Sequence, residues 1–162
     1  MRKALISLAL CMVAAAPADD WQITDKTSEL DGKRTYIAVV QSNETVANII
    51  DSQEKASFGT VCDKNGFSAL VHWPDFVAKA YDEYSVPIAW KVDDKPVVKA
   101  RWDATDQSVS LSGQKAMKWL IGLKDAKKLV VSVPDKHGGQ EAVFILDGIN
   151  RVIDQVSTLR CG

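Results

Sequence analysis

Ser57-Phe58-Gly59-Thr60-Val61-Cys62-Asp63-Lys64-Asn65-Gly66-Phe67-Ser68-Ala69-Leu70-Val71-His72-Trp73 is the stretch that decides the fold class. Residues 57–62 and 67–73 read as two strands, and Asp63-Lys64-Asn65-Gly66 joins them as a hairpin turn. Asn-Gly favours such a turn because both residues tolerate positive φ. The pattern recurs downstream. Val86, Ile88, Trp90 and Val92 alternate with other residues, the period of a half-buried strand. Asp93-Asp94 turns the chain, and Val98, Ala100 and Trp102 form the next alternating face. Upstream, 21–24 reads as a first strand and Asp31-Gly32 as a turn. Residues 34–41 follow as a strand with Tyr36, Ala38 and Val40 on one face.

Further along, 108–111 reads as a short strand, and 129–133 and 142–146 as two more, joined by the polar loop 135–140. Helical spacing occurs twice. Ala116, Trp119, Leu120 and Leu123 make one apolar stripe, with Ser112 placed to cap it. Ile149, Val152, Ile153 and Val156 make the other, which ends just before Cys161. Segment 74–84 is ambiguous, since Phe76, Val77, Ala80 and Tyr84 also fit a short third helix. The expected fold is mainly β (α+β): an antiparallel β-sandwich or curved sheet with two packed helices, the last one C-terminal.

Met1-Arg2-Lys3 is a short basic start, 4–16 an apolar run broken only by Ser7, and Ala16-Pro17-Ala18 a small-x-small site. Together they read as a secretory signal peptide over 1–18, with cleavage before Asp19 and one β-rich periplasmic domain over 19–162. The run is shorter than the about 20 apolar residues of a membrane span. Cys11 does not fit a lipid anchor, because Leu10 precedes it where a small residue is expected. Removing Arg2 and Lys3 from the 20 basic residues leaves 18 against 21 acidic ones, a net charge near −3. That balance excludes the basic footprint of a nucleic-acid binder. Lys124, Lys127 and Lys128, divided by Asp125, read as a solvated helix end rather than an anionic-lipid patch.

With Cys11 removed, Cys62 and Cys161 remain. An oxidising compartment joins such a pair. A bridge between them closes a loop of about 100 residues, for which the chain-entropy model gives about 4.7 kcal/mol as an upper figure. Two other readings stand beside it: pairing of Cys161 with a second molecule, and a redox or nucleophilic cysteine. Against the latter, the sequence has no C-x-x-C.

Other chemistry is sparse. His72 falls on the outer face of a strand and His137 in a loop beside Gly138-Gly139, so neither has the neighbours of a zinc site. No nucleophile elbow, P-loop or dinucleotide fingerprint is present. Asp93 and Asp94 share a turn and point apart, and Asp103 and Asp106 close a strand, so neither pair suits glycoside hydrolysis. No catalytic residue, metal ligand or cofactor is assigned. Of the five tryptophans, Trp90, Trp102 and Trp119 fit core positions by periodicity. Trp21 and Trp73 lie near element ends, where core packing is the favoured reading and exposure the alternative; if exposed, they form with His137 the candidate partner surface.

The order of landmarks resembles a known family. Trp21 precedes Ser28-Glu29-Leu30-Asp31-Gly32-Lys33-Arg34 and a strand. Cys62, a hairpin and Val71-His72-Trp73 follow, then Val86-Pro87-Ile88-Ala89-Trp90-Lys91-Val92-Asp93 and Arg101-Trp102-Asp103-Ala104-Thr105-Asp106. Ala142-Val143-Phe144-Ile145-Leu146-Asp147-Gly148, an amphipathic helix and Cys161 complete the series. This resembles the periplasmic accessory family of type VI secretion called VasI or TagO, or a mobile-element relative of it, across nearly all of 19–162. Two departures are visible. Trp90-Lys91-Val92-Asp93 stands where the family hairpin has R-x-D, and Thr105 stands where its W-x-x-S has serine. The resemblance implies fold and compartment, and carries over no catalytic residue. The expected function is a non-enzymatic accessory or binding protein whose partner is an envelope or secretion-apparatus protein. It is expected to be a monomer or weak oligomer with no membrane anchor. The alternatives are a small periplasmic inhibitor or exclusion factor that plugs a lysozyme or phage-related enzyme with loop 135–140, and, more remotely, a wall-active hydrolase.

Overall fold

The computed structural model describes residues 20–48, 50, 52–75, 77, 84–135 and 137–161. The expected signal peptide lies outside them, as do Phe76 and Ala80 of the ambiguous segment. Among the described residues the chain forms nine strands and two helices. The strands are β1 (Gln22–Thr27), β2 (Arg34–Ala47), β3 (Gln53–Asp63), β4 (Gly66–His72), β5 (Ser85–Val92), β6 (Val98–Thr105), β7 (Ser108–Ser112), β8 (Lys128–Ser132) and β9 (Glu141–Ile145). Helix α1 (Gly113–Ile121) lies between β7 and β8, and α2 (Ile149–Thr158) follows β9.

All nine strands form one antiparallel sheet in the order β1-β2-β3-β4-β7-β6-β5-β8-β9. It curls into a half-barrel, so that residues of β2 and β9, far apart in that order, come within 8 Å between Cα atoms. The expected curved sheet is therefore what forms, with alternate residues of each strand on the inner face. Tyr36, Ala38 and Val40 of β2 are buried there, with Ala56, Phe58 and Cys62 of β3 and Phe67, Ala69 and Val71 of β4. The two helices complete this core with Ala116 and Leu120 from α1 and Ile149, Val152, Ile153 and Val156 from α2.

Three local details differ from the sequence reading. In the β3–β4 hairpin only Gly66 takes positive φ (115°). Lys64 and Asn65 make the turn, and Asp63 Oδ1 accepts the Asn65 N–H at 2.7 Å. Ser112 occupies the N-cap of α1 without a side-chain capping bond, and its hydroxyl lies 3.5 Å from that of Ser68 across the β4–β7 ladder. Strand β2 runs six residues past its expected end at Gln41, through a register shift between Gln41 and Thr45. Such an irregularity bends a strand, and here the Ser42 hydroxyl donates to the Glu44 carbonyl at 2.6 Å.

Cys62 and Cys161 form a disulfide with Cα atoms 5.2 Å apart, 99 positions apart in sequence. It ties the segment after α2 to β3. The Tyr36 hydroxyl, hydrogen-bonded to Gln155 Oε1 at 2.8 Å, holds the same helix to β2. Cys161→Ala, or reduction of the oxidised protein, is expected to lower stability by about 2–4 kcal/mol, with secondary structure retained below the transition. Denaturant unfolding with and without reductant measures it, and identical midpoints would contradict a structural bridge. Gly59 supplies a second test. A Cβ there would lie 2.9 Å from the Ala38 carbonyl oxygen and 3.1 Å from Val39 Cγ2. Gly59→Ala must push β2 away from β3 and is expected to cost about 1–3 kcal/mol, read as a lower thermal midpoint.

Candidate functional site

Trp21 and Trp73 are not surface residues. Trp21 is 6 % exposed and Trp73 0 %, so the candidate partner surface is corrected for both and the core reading holds. Position at an element end misled because the curled sheet brings those ends inward. The Trp21 ring meets Phe58 edge-on at 5.6 Å. The Trp73 indole N–H donates to Asp135 Oδ2 at 2.9 Å.

Asp135 is the centre of a buried polar knot. Its Oδ1 accepts the backbone N–H groups of His137 (2.9 Å) and Gly139 (3.1 Å), and its Oδ2 accepts from Trp73 and from Gln140 Nε2 (3.0 Å). The Gln140 carboxamide also pairs with both backbone groups of Ala47: its oxygen accepts the N–H at 2.7 Å and its nitrogen donates to the carbonyl at 3.2 Å. The side chain thus stands in for a strand residue between the end of β2 and the start of β9. His137 Nε2 lies 3.4 Å from the Asn48 carbonyl and 3.5 Å from Oδ2 of Asp75, whose side chain is fully buried. Loop 135–140 is therefore fastened to the body through Asp135, His137, Gly139 and Gln140.

Burial raises the Asp135 carboxyl, but the donors from Gly139, Trp73, Gln140 and His137 together outweigh it and hold the pKa below the ordinary carboxylate value. A depressed folded-state pKa stabilises the fold above the unfolded value of about 3.9, and that contribution is lost as pH falls through the folded value. Asp135→Asn sets an amide NH2 against two N–H donors whichever way it turns. It is expected to cost about 1–3 kcal/mol at pH 7, and the gap from wild type should narrow on acidification below about pH 4. Unfolding curves at pH 7 and pH 3 check both points. A gap that widens in acid would refute the assignment.

Of the other aspartates singled out in sequence, Asp93 serves the backbone with its side chain. Asp93 takes a positive φ of 49° at the β5–β6 turn, and its Oδ1 accepts the N–H groups of Lys127 and Lys128. The Asp106 carbonyl accepts the Val77 N–H at 2.8 Å. Among the described residues, no three His, Cys, Asp or Glu side chains are grouped to hold a metal ion.

The feature with the shape of a binding site lies between α1 and the β5–β6 hairpin. It is an open cleft of about 500 Å³. Trp90, Trp102 and Trp119 form its aromatic floor, with centroids 5.0–6.3 Å apart and planes inclined at 54–90°. Ala100 and Leu111 extend the floor, and Lys115 and Lys118 of α1 flank it. Of the three tryptophans assigned to the core, Trp102 is buried at 1 % exposure, whereas Trp90 and Trp119 are only partly buried.

Periodicity did not separate these positions because it reports which residues share a face, not whether a neighbour covers that face. Helix α1 packs chiefly against β4 and β7 and meets the β5–β6 hairpin mainly through Trp119. Opposite Trp90 in the β5–β6 ladder stands Val98, which is 46 % exposed. No family model matches this chain, and no curated protein or solved structure is similar to it.

Proposed function

We propose that the protein is a non-enzymatic accessory protein of the bacterial periplasm that works by binding another protein of the cell envelope. The observation that carries this reading is the open aromatic cleft beside α1, since protein partners anchor on Trp-rich, apolar pockets rimmed by polar groups. The basic and apolar start of the sequence and the Cys62–Cys161 bridge support an oxidising, extracytoplasmic address. Among the described residues, no helix is long and apolar enough to cross a membrane. The resemblance of the sequence landmarks to the VasI and TagO accessory proteins points to type VI secretion as the process served.

The buried carboxylate of Asp135, which does not line the cleft, is a structural group. Asp135 accepts four N–H donors, so its oxygens are engaged in holding loop 135–140 to the sheet. The partner surface therefore shifts from Trp21 and Trp73 to the exposed aromatic edge of Trp90 and Trp119.

An affinity-tagged copy, chemically crosslinked in the living bacterium, is expected to recover a defined envelope protein. Deletion of the gene is expected to reduce delivery of type VI effectors into competitor cells. Recovery of no envelope protein, together with undiminished delivery, would overturn the reading.

A further inference from the structure

The chemistry of the cleft between α1 and the β5–β6 hairpin selects its occupant. The floor is hydrocarbon and indole, and among the described residues no Asp, Glu, Asn or Gln lines it. Arg101 borders it, but its guanidinium is hydrogen-bonded to the hydroxyl and the carbonyl oxygen of Ser85. Lys115 and Lys118, one turn apart on α1, are the flanking charges, and both are exposed with no ion pair among the described residues.

Three classes of occupant fit this badly. A sugar needs side-chain acceptors for its hydroxyl groups, and the lining provides none. A quaternary ammonium needs a box of rings around it. Here the three indoles pack against one another and two cations stand at the edge. A free small molecule is held by a pocket that covers 70–90 % of its surface, whereas this cleft lies open along one side. A side chain projecting from another protein needs no such enclosure, because the protein behind it closes the open side.

We infer that the cleft docks a segment of the envelope partner that presents one or two large apolar side chains next to Asp or Glu, the apolar groups on Trp90, Ala100 and Trp119 and the carboxylates against Lys115 and Lys118. This rests on the accessory-protein reading above and names the chemistry of its partner. Burial on the indoles supplies the affinity. The lysines supply orientation and association rate, as charges at the rim of an interface do. Exposed Val98 at the hairpin tip continues the same apolar strip and lengthens the footprint beyond the cleft.

The test selects a random heptapeptide phage library on the immobilised, oxidised protein and titrates the recovered synthetic peptides by tryptophan fluorescence. Two variants serve as controls. Ala100→Trp places an indole on the exposed cleft floor, at a strand position that accepts aromatic residues. Lys115→Glu with Lys118→Glu reverses the flank at solvent-exposed sites, so folding is retained. The expected result is enrichment of peptides that combine large apolar residues with Asp or Glu. Affinity should fall at least about tenfold in Ala100→Trp and roughly tenfold in the double reversal, and the wild-type interaction should weaken with salt.

No enrichment, enrichment of basic peptides, or peptides indifferent to both variants would overturn the inference. So would phosphatidylglycerol vesicles whose binding alone depends on these residues, which would assign the cleft to a lipid surface. The two readings fail separately. An envelope partner captured equally by wild type and both variants removes the cleft but leaves the accessory role. Acidic peptides bound in the cleft without any envelope partner do the reverse.

Discussion

Phe58, near the middle of β3, meets three parts of the chain that are distant in sequence. Its ring lies 5.6 Å from Trp21, 5.6 Å from Trp119 and 6.0 Å from Phe144, each at an edge-on inclination. In strand order β9 is six places from β3, so Phe144 reaches this ring only if the sheet curls. Trp119 reaches it only if α1 lies inside the curl. Each aromatic pair contributes about 0.5–1.5 kcal/mol beyond its buried area, but the geometric demand matters more than the sum. One side chain fixes the curvature of the sheet, the seat of the first helix and the entry of the chain into β1.

The same aromatic network reaches the surface. Trp119 touches Phe58 on one side and Trp102 and Trp90 on the other. The cleft floor is therefore the outer end of a chain of rings whose inner end is the core. A floor held in this way is preorganised, which reduces the ordering cost of binding. Its position follows from the seat of α1, which packs chiefly against β4 and β7 and meets the β5–β6 hairpin mainly through Trp119.

Two different devices hold the ends of the long β2–β3 pair. Near Tyr36 and Cys62, a hydrogen bond and a disulfide fasten α2 and the segment that follows it. At the other end, Gln140 bonds to Ala47 as a strand would, and Asp135 gathers the loop between β8 and β9. The hydrogen bonds at both ends give polar atoms partners that the interior otherwise denies them.

Alternation and turn chemistry in the sequence placed every one of the nine strands, because a period of two marks a sheet with one buried face. The two helical stripes were equally plain, and all four residues of the second, from Ile149 to Val156, are buried. What escaped were strand ends: β1 runs on to Thr27, β2 runs on to Ala47 and β3 starts at Gln53, and exposed runs such as 43–45 and 53–55 leave no alternation to read. What tertiary structure alone decided is which aromatic residues face water. Trp21 and Trp73 are buried, whereas Trp90 and Trp119 are only partly buried and line the cleft between α1 and the β5–β6 hairpin. Sequence period assigns a residue to a face, but the curvature of the sheet and the seat of the helix packed on it determine whether that face is filled.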